Sequence, residues 1–152
     1  MVGVLAAGPR PAAAARWPAM HHAFTVQDAA LAVAVAFVFV LLVSRLREPT
    51  RHQFMAIFVA GAGSAYLGGG LGGWEFAYAA AASYAAFRGL ASYRWIAAAW
   101  LMHVGWDVAH HLWGQPIVPF VPTSSAQCAV TDSLLALWFY YGAPTLGPRR
   151  MS

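Results

Sequence analysis

The sequence is poor in charge. Only 9% of its 152 residues are Asp, Glu, Lys or Arg, against roughly 25% in an average soluble domain. Lysine is absent, so all nine positive charges are arginine, set against five acids. A soluble domain of this size would have too few polar side chains to cover its surface. Cysteine is nearly absent too. Cys128 stands alone, which excludes an intrachain disulfide and a Cys-rich metal site. The first twenty residues lack the apolar core of a signal peptide, because Val2 to Gly8 is followed at once by Pro9, Arg10 and Pro11. Residues 1–24, with His21 and His22, are expected to form a loosely ordered tail. The pI near 9.7 does not point to a nucleic-acid partner. The arginines stand singly between apolar runs and form no basic stripe interleaved with aromatics.

What is abundant is apolar: 61% of the residues are hydrophobic, 14% aromatic and seven are tryptophan. These values predict an all-α integral membrane helical bundle, with the lipid bilayer as its first partner. About five transmembrane helices fit between residues 25 and 143, followed by a C-terminal tail, 144–152. The first segment, Thr25 to Arg45, has no charge between Ala29 and Ser44 and is apolar on every face. The second, Gln53 to Gly70, is introduced by Thr50-x-x-Gln53, which has the form of a capping box. Ala60, Ser64, Gly68 and Gly72 recur every four residues, a small-residue seam of the kind that lets membrane helices approach, within the protein or in a homo-oligomer. The third, Trp74 to Tyr93, is mostly alanine and aromatics, with Glu75 in its first turn. That glutamate reads equally as a site residue and as a carboxylate favoured by the helix macrodipole. The fourth runs from Trp95 to Trp113. Prolines 116, 119 and 122 then favour an extended path. Ser124-x-x-Gln127 again fits a capping box, opening a fifth segment from Ala126 to Tyr141.

Arginine distribution orients these spans. With the first turn in the cytoplasm, Arg45, Arg47, Arg51, Arg88, Arg94, Arg149 and Arg150 fall inside, and only Arg10 and Arg16 outside. The N-terminus is therefore expected outside and the C-terminus inside. Asp28, Glu75, Asp107 and Asp132 then fall toward the outer half.

The fourth segment carries the chemistry. At about 100° per residue, His103, Asp107 and His110 lie within an arc of about 60°, which His111 widens to about 100°. At ~1.5 Å per residue, Asp107 lies ~9 Å below Trp113 and Asp132 ~10 Å below Ser125, so the two aspartates should meet at similar depth. Ionisable groups inside a membrane are costly and must be paired, protonated, hydrated or metal-bound. Imidazole and carboxylate suit a divalent metal such as Zn or Fe. His103, Asp107 and His110 are the expected ligands, since His110 and His111 point too far apart to share one ion. Asp132 would act as base or fourth ligand, with Glu75 and His111 assisting. Such a site would act on a lipid-like small molecule, under the apolar loop Gly114 to Pro122 as lid. On the residues alone three other readings stay open. They are a structural His–Asp network, a transport or proton-relay role, and an accessory subunit of a larger membrane complex with haem between histidines. Cys128, one turn from Asp132, reads as a packed small residue or a further neighbour of the site. Ser124 and Ser125 read as caps.

Three stretches carry a resemblance. They are His52-Gln-Phe-Met-Ala-Ile-Phe-Val-Ala-Gly-Ala-Gly, Gly69-Gly-Leu-Gly-Gly-Trp-Glu-Phe, and His103-Val-Gly-Trp-Asp-Val-Ala-His-His-Leu-Trp-Gly-Gln-Pro-Ile-Val-Pro-Phe-Val-Pro-Thr-Ser-Ser. Over about residues 50–143 the chain resembles a family of small bacterial polytopic membrane proteins known only as a domain of unknown function. This implies a bacterial inner-membrane location and brings no activity. His103-x-x-x-Asp107-x-x-His110-His111 also resembles the histidine boxes of membrane fatty-acid hydroxylases and desaturases, whose further boxes this chain lacks. The residue types resemble those of seven-helix zinc hydrolases of the alkaline-ceramidase type, but helix number and order differ.

Overall fold

Thr25 begins the first helix by a reciprocal cap: its hydroxyl accepts from the Asp28 amide, and the Asp28 carboxylate accepts from the Thr25 amide. In the computed structural model, which describes residues 23–146, this opens α1, Val26–Val43. Four helices follow: α2, Thr50–Ser64; α3, Gly73–Gly89; α4, Tyr93–Trp113; and α5, Ser124–Tyr140. No strand occurs among the described residues. The expected all-α architecture of five helices is thus observed. The tail to residue 22, with His21 and His22, and Arg149 and Arg150 lie outside the described residues.

Helix α4 is the centre. It packs against α5, α3 and α2, while α1 packs against α5. The core at one end is built from Met55, Val59, Ile96, Trp100, Leu135 and Phe139, spaced by alanines that let the helices close up. Glu75, His103, Asp107, His110 and Asp132 are nevertheless turned inward, while many large apolar side chains face outward. Leu31, Phe37, Leu42, Ile57, Phe76, Phe87, Leu101 and Leu137 are all exposed. Among the described helices, α1 is the one both long and apolar enough, by length and composition, to cross a membrane.

Three local expectations are corrected. Helix α2 begins at Thr50 and ends at Ser64, six residues short of Gly70. Gly68, Gly70 and Gly72 have φ of 90°, 98° and 64°, a left-handed backbone that carries the chain out of the helix. The four-residue seam therefore stops. Ser64 is exposed, and the small buried residues of α2 are Ala56 and Gly63, the latter set against Ala82. Neither proposed capping box forms. Thr50 is itself helical, and backbone bonds from Arg51 to Arg47 and Gln53 to Pro49 already occupy the first amides. At α5 the cap position is Thr123, without a side-chain cap bond. Ser124 and Ser125 instead accept from the Val118 and Ile117 amides at 3.0 and 3.2 Å, holding the proline-rich loop. That loop is not continuously extended, because the Val121 amide closes a turn on the Val118 carbonyl. Gln127 donates to Asp28 at 2.7 Å and Thr123 does so at 2.9 Å, which latches the start of α1 to the start of α5.

At the opposite end, Glu48 accepts from Arg51 at 2.8 Å and from the Tyr93 hydroxyl. His52 stacks on Tyr93, with ring centroids 4.1 Å apart, and donates to the Gly89 carbonyl at 2.6 Å. These contacts bind the α1–α2 turn to the α3–α4 junction.

Candidate functional site

The buried face of α4 presents His103, Asp107 and His110, all at most 2% exposed. The three are three and four residues apart, so they recur on one side of the helix. Tyr66 links two of them, its hydroxyl on Asp107 and its ring on His110. Each meets a different wall of the bundle, and together they form three levels along α4.

His103 forms the first level. Its Nδ1 lies 2.9 Å from the Ala99 carbonyl. A carbonyl only accepts, so Nδ1 carries the hydrogen and Nε2 keeps a lone pair. Nε2 is buried without a hydrogen-bond partner and points toward Gly63 of α2. Tyr78 meets the imidazole edge-on at 5.5 Å and stacks on Trp106 at 4.4 Å.

Asp107 forms the second. The Tyr66 hydroxyl donates to its Oδ1 at 2.6 Å. Its Oδ2 has no hydrogen-bond partner, and Asp132 of α5 lies close enough for the two carboxyls to influence each other. The juxtaposition expected from helix rise alone is found: two carboxyls on neighbouring helices at one depth. Two carboxylates this close cannot both stay ionised unless a proton or another cation lies between them. Cys128 and the Tyr78 hydroxyl also neighbour the pair, and that hydroxyl has no partner. Ser125, fully buried, lies beside the Tyr66 hydroxyl.

His110 forms the third. Its Nδ1 donates to the Trp106 carbonyl at 3.1 Å, again leaving Nε2 with a lone pair. The Tyr66 ring stacks on the imidazole at 4.1 Å. The glycine turn closes over it so tightly that a Cβ on Gly69 would stand 2.6 Å from Nε2. Glu75 holds this turn in place. Its carboxylate accepts from the Gly68 and Leu71 amides at 2.5 and 2.8 Å and lies 4.0 Å from His110 Nε2. The backbone of Gln115 completes the cover by donating to the Gly69 carbonyl at 2.8 Å.

The site residues named from sequence are thus brought together only in part. Asp107 joins Asp132, and Glu75 joins His110, while His103 stands one level away. His111 is half-buried on the flank of the helix, outside these contacts. Among the described residues no three His, Cys, Asp or Glu side chains converge closely enough to hold one metal ion, so the expected ligand set of His103, Asp107 and His110 is not assembled. Tyr66 and Tyr78 are the members that sequence reasoning missed. The available signal was their hydroxyl, a polar tip inside an otherwise apolar stretch.

Neither the curated proteins nor the solved structures contain a match to this chain. A family model does match, over residues 27–145, a stretch that includes all of the five helices but Val26 and every residue of the cluster. The chain belongs to that family, described as a family of unknown function (DUF6010).

Proposed function

We propose that the five helices span a membrane and enclose a proton-exchanging carboxyl pair, Asp107 and Asp132. One observation carries this reading: two buried carboxyls on adjacent helices lie close enough to influence each other, inside a molecule that exposes many large apolar side chains. Helices α3, α4 and α5 have 17, 21 and 17 residues, or about 25–32 Å at ~1.5 Å per residue, which suits a hydrocarbon core of about 30 Å. Helix α2, with 15 residues, is shorter and is extended by the glycine turn. The arginine distribution favours a bacterial inner-membrane, multi-pass protein with its N-terminus outside and its C-terminus in the cytoplasm.

A carboxyl pair sharing one proton can accept, hold and release it as general acid and base. Tyr66 fixes one oxygen of Asp107 and leaves the other for the exchanging proton. The test is infrared difference spectroscopy of the detergent-purified protein on a pH step, with proton flux measured in liposomes. A carboxyl band that disappears in Asp107→Asn and in Asp132→Asn, with loss of flux, is expected. A spectrum unchanged by both substitutions overturns the reading. Recovery of the protein in the soluble fraction, without detergent, overturns the membrane assignment.

A second reading is a metal-supported enzyme acting on a lipid-like substrate. It would use Zn or Fe on His103, Asp107 and His110, Asp132 as base, Glu75 and His111 as assistants and the Gly114–Pro122 loop as lid. One observation favours it. Both buried histidines donate Nδ1–H to a backbone carbonyl and keep Nε2 unpartnered, as metal-binding histidines do. The reading requires the ligands to move together. Metal analysis of wild type and His103→Ala decides it, and no stoichiometric metal in the wild type excludes it.

A further inference from the structure

The face between α4 and α5 carries an outward-opening groove of about 420 Å³, within the range of small-molecule sites. Its floor is small, formed by Ala97, Ala98 and Ala136, and its walls are Leu101 and Leu137. Ser133 also lines it, but its hydroxyl is taken up by the Ala129 carbonyl at 2.7 Å. The floor therefore offers no free polar group and favours hydrocarbon.

One end differs. Arg94 stands there beside Tyr140, with its guanidinium carbon 5.8 Å from the ring centre. Arg94 makes no ion pair among the described residues. Glu48, the acid at this end of the bundle, is engaged by Arg51 and Tyr93. The remaining four acids lie at the other end or in the interior, as Asp28, Glu75, Asp107 and Asp132 show by their partners. An apolar channel that ends at an unpaired arginine is complementary to an anionic amphiphile. It is a poor match for a second copy of this chain, whose own arginines at this end would find no free acid.

We infer that the α4–α5 groove binds the acyl chain of an anionic membrane phospholipid, with Arg94 against its phosphate. The inference rests on the membrane reading but not on the carboxyl pair. Its energetics follow from two terms: hydrocarbon fills a groove lined by apolar side chains, and one arginine attracts an anionic headgroup.

The experiment is native mass spectrometry of the full chain, extracted from membranes in detergent and offered equal phosphatidylglycerol and phosphatidylcholine. Wild type is expected to retain phosphatidylglycerol about fivefold over phosphatidylcholine, the factor expected for one arginine at an anionic surface. Arg94→Gln, at an exposed position, should remove that preference while leaving residual retention of both lipids. Ala98→Leu should block the groove and reduce retention of both. Equal retention of the two lipids by wild type overturns the inference, as does phosphatidylglycerol retention unchanged in both variants. A lipid-free dimer that Ala98→Leu dissociates assigns the groove to a second copy and also overturns it. If the protein needs no detergent, the membrane reading has failed instead, and the two failures are distinct.

Discussion

Replacing Tyr66 by phenylalanine removes one hydroxyl and leaves the ring on His110. Asp107 Oδ1 then loses its donor at 2.6 Å. A hydrogen bond to a charged partner contributes about 1.5–3 kcal/mol, so thermal unfolding in detergent should show a loss of that order. An unchanged midpoint would mean that the carboxyl pair does not depend on this donor. Glu48 makes a prediction of the opposite kind, at the surface. Burial raises its carboxyl, but the hydrogen bonds from Tyr93 and Arg51 outweigh burial and lower it below the ordinary 4.5. A lowered folded value means stability that is present above the unfolded value and lost as pH falls through the folded one. The melting temperature of wild type should therefore fall as pH drops below about 4.5, the ordinary glutamate range, and Glu48→Gln should flatten that limb. How much of the site is legible in the sequence depends on the residue. His103, Asp107 and His110 share a face by helical spacing, and Asp132 follows by depth. Tyr66 does not, because it lies just past the end of α2, where no periodicity assigns a direction.

The glycine turn is the element that sets the third level of the site. A methyl group on Gly69 would stand 2.6 Å from His110 Nε2 and 2.9 Å from the Tyr66 carbonyl. Gly69→Ala should then cost about 1–3 kcal/mol, the usual range for overpacking. It should also disturb Asp107, through the Tyr66 side chain. Gly61 in α2 has open space around it, so Gly61→Ala should be neutral or stabilise by up to ~1 kcal/mol, by helix propensity. Comparing the two unfolding midpoints checks the assignment, and equal effects would contradict it. This element also marks where sequence reading loses resolution. Gly68 and Gly72 continue the spacing of Ala60 and Ser64, so period four extends the helix through them. Their positive φ, fixed by the Glu75 carboxylate holding the Gly68 and Leu71 amides, ends it earlier. In the same way Ser124 and Gln127 have the right spacing for a cap, but the Val118 amide of the preceding loop claims the one and Asp28 of α1 the other. Local pattern fails where a partner outside the helix competes.

At the scale of the molecule, the proposed five crossings would put the two ends of the chain on opposite sides of the membrane. A reporter fused to the C-terminus should be active in the cytoplasm and one fused to the N-terminus outside. Both reporters on one side would contradict five crossings. The fold also has a timing problem built into its connectivity. Helix α1 packs against α5 and is latched to it by Asp28, with Thr123 and Gln127 95 and 99 residues downstream. During synthesis at about 5–20 residues per second, that partner is made roughly 5–20 s later. Until then, in the proposed membrane setting, α1 would have only lipid for company. It is more apolar per residue than any of the other four helices. The first helix made is thus the one least in need of neighbours, and on the membrane reading the ribosome can leave it waiting while the polar interior is assembled around α4.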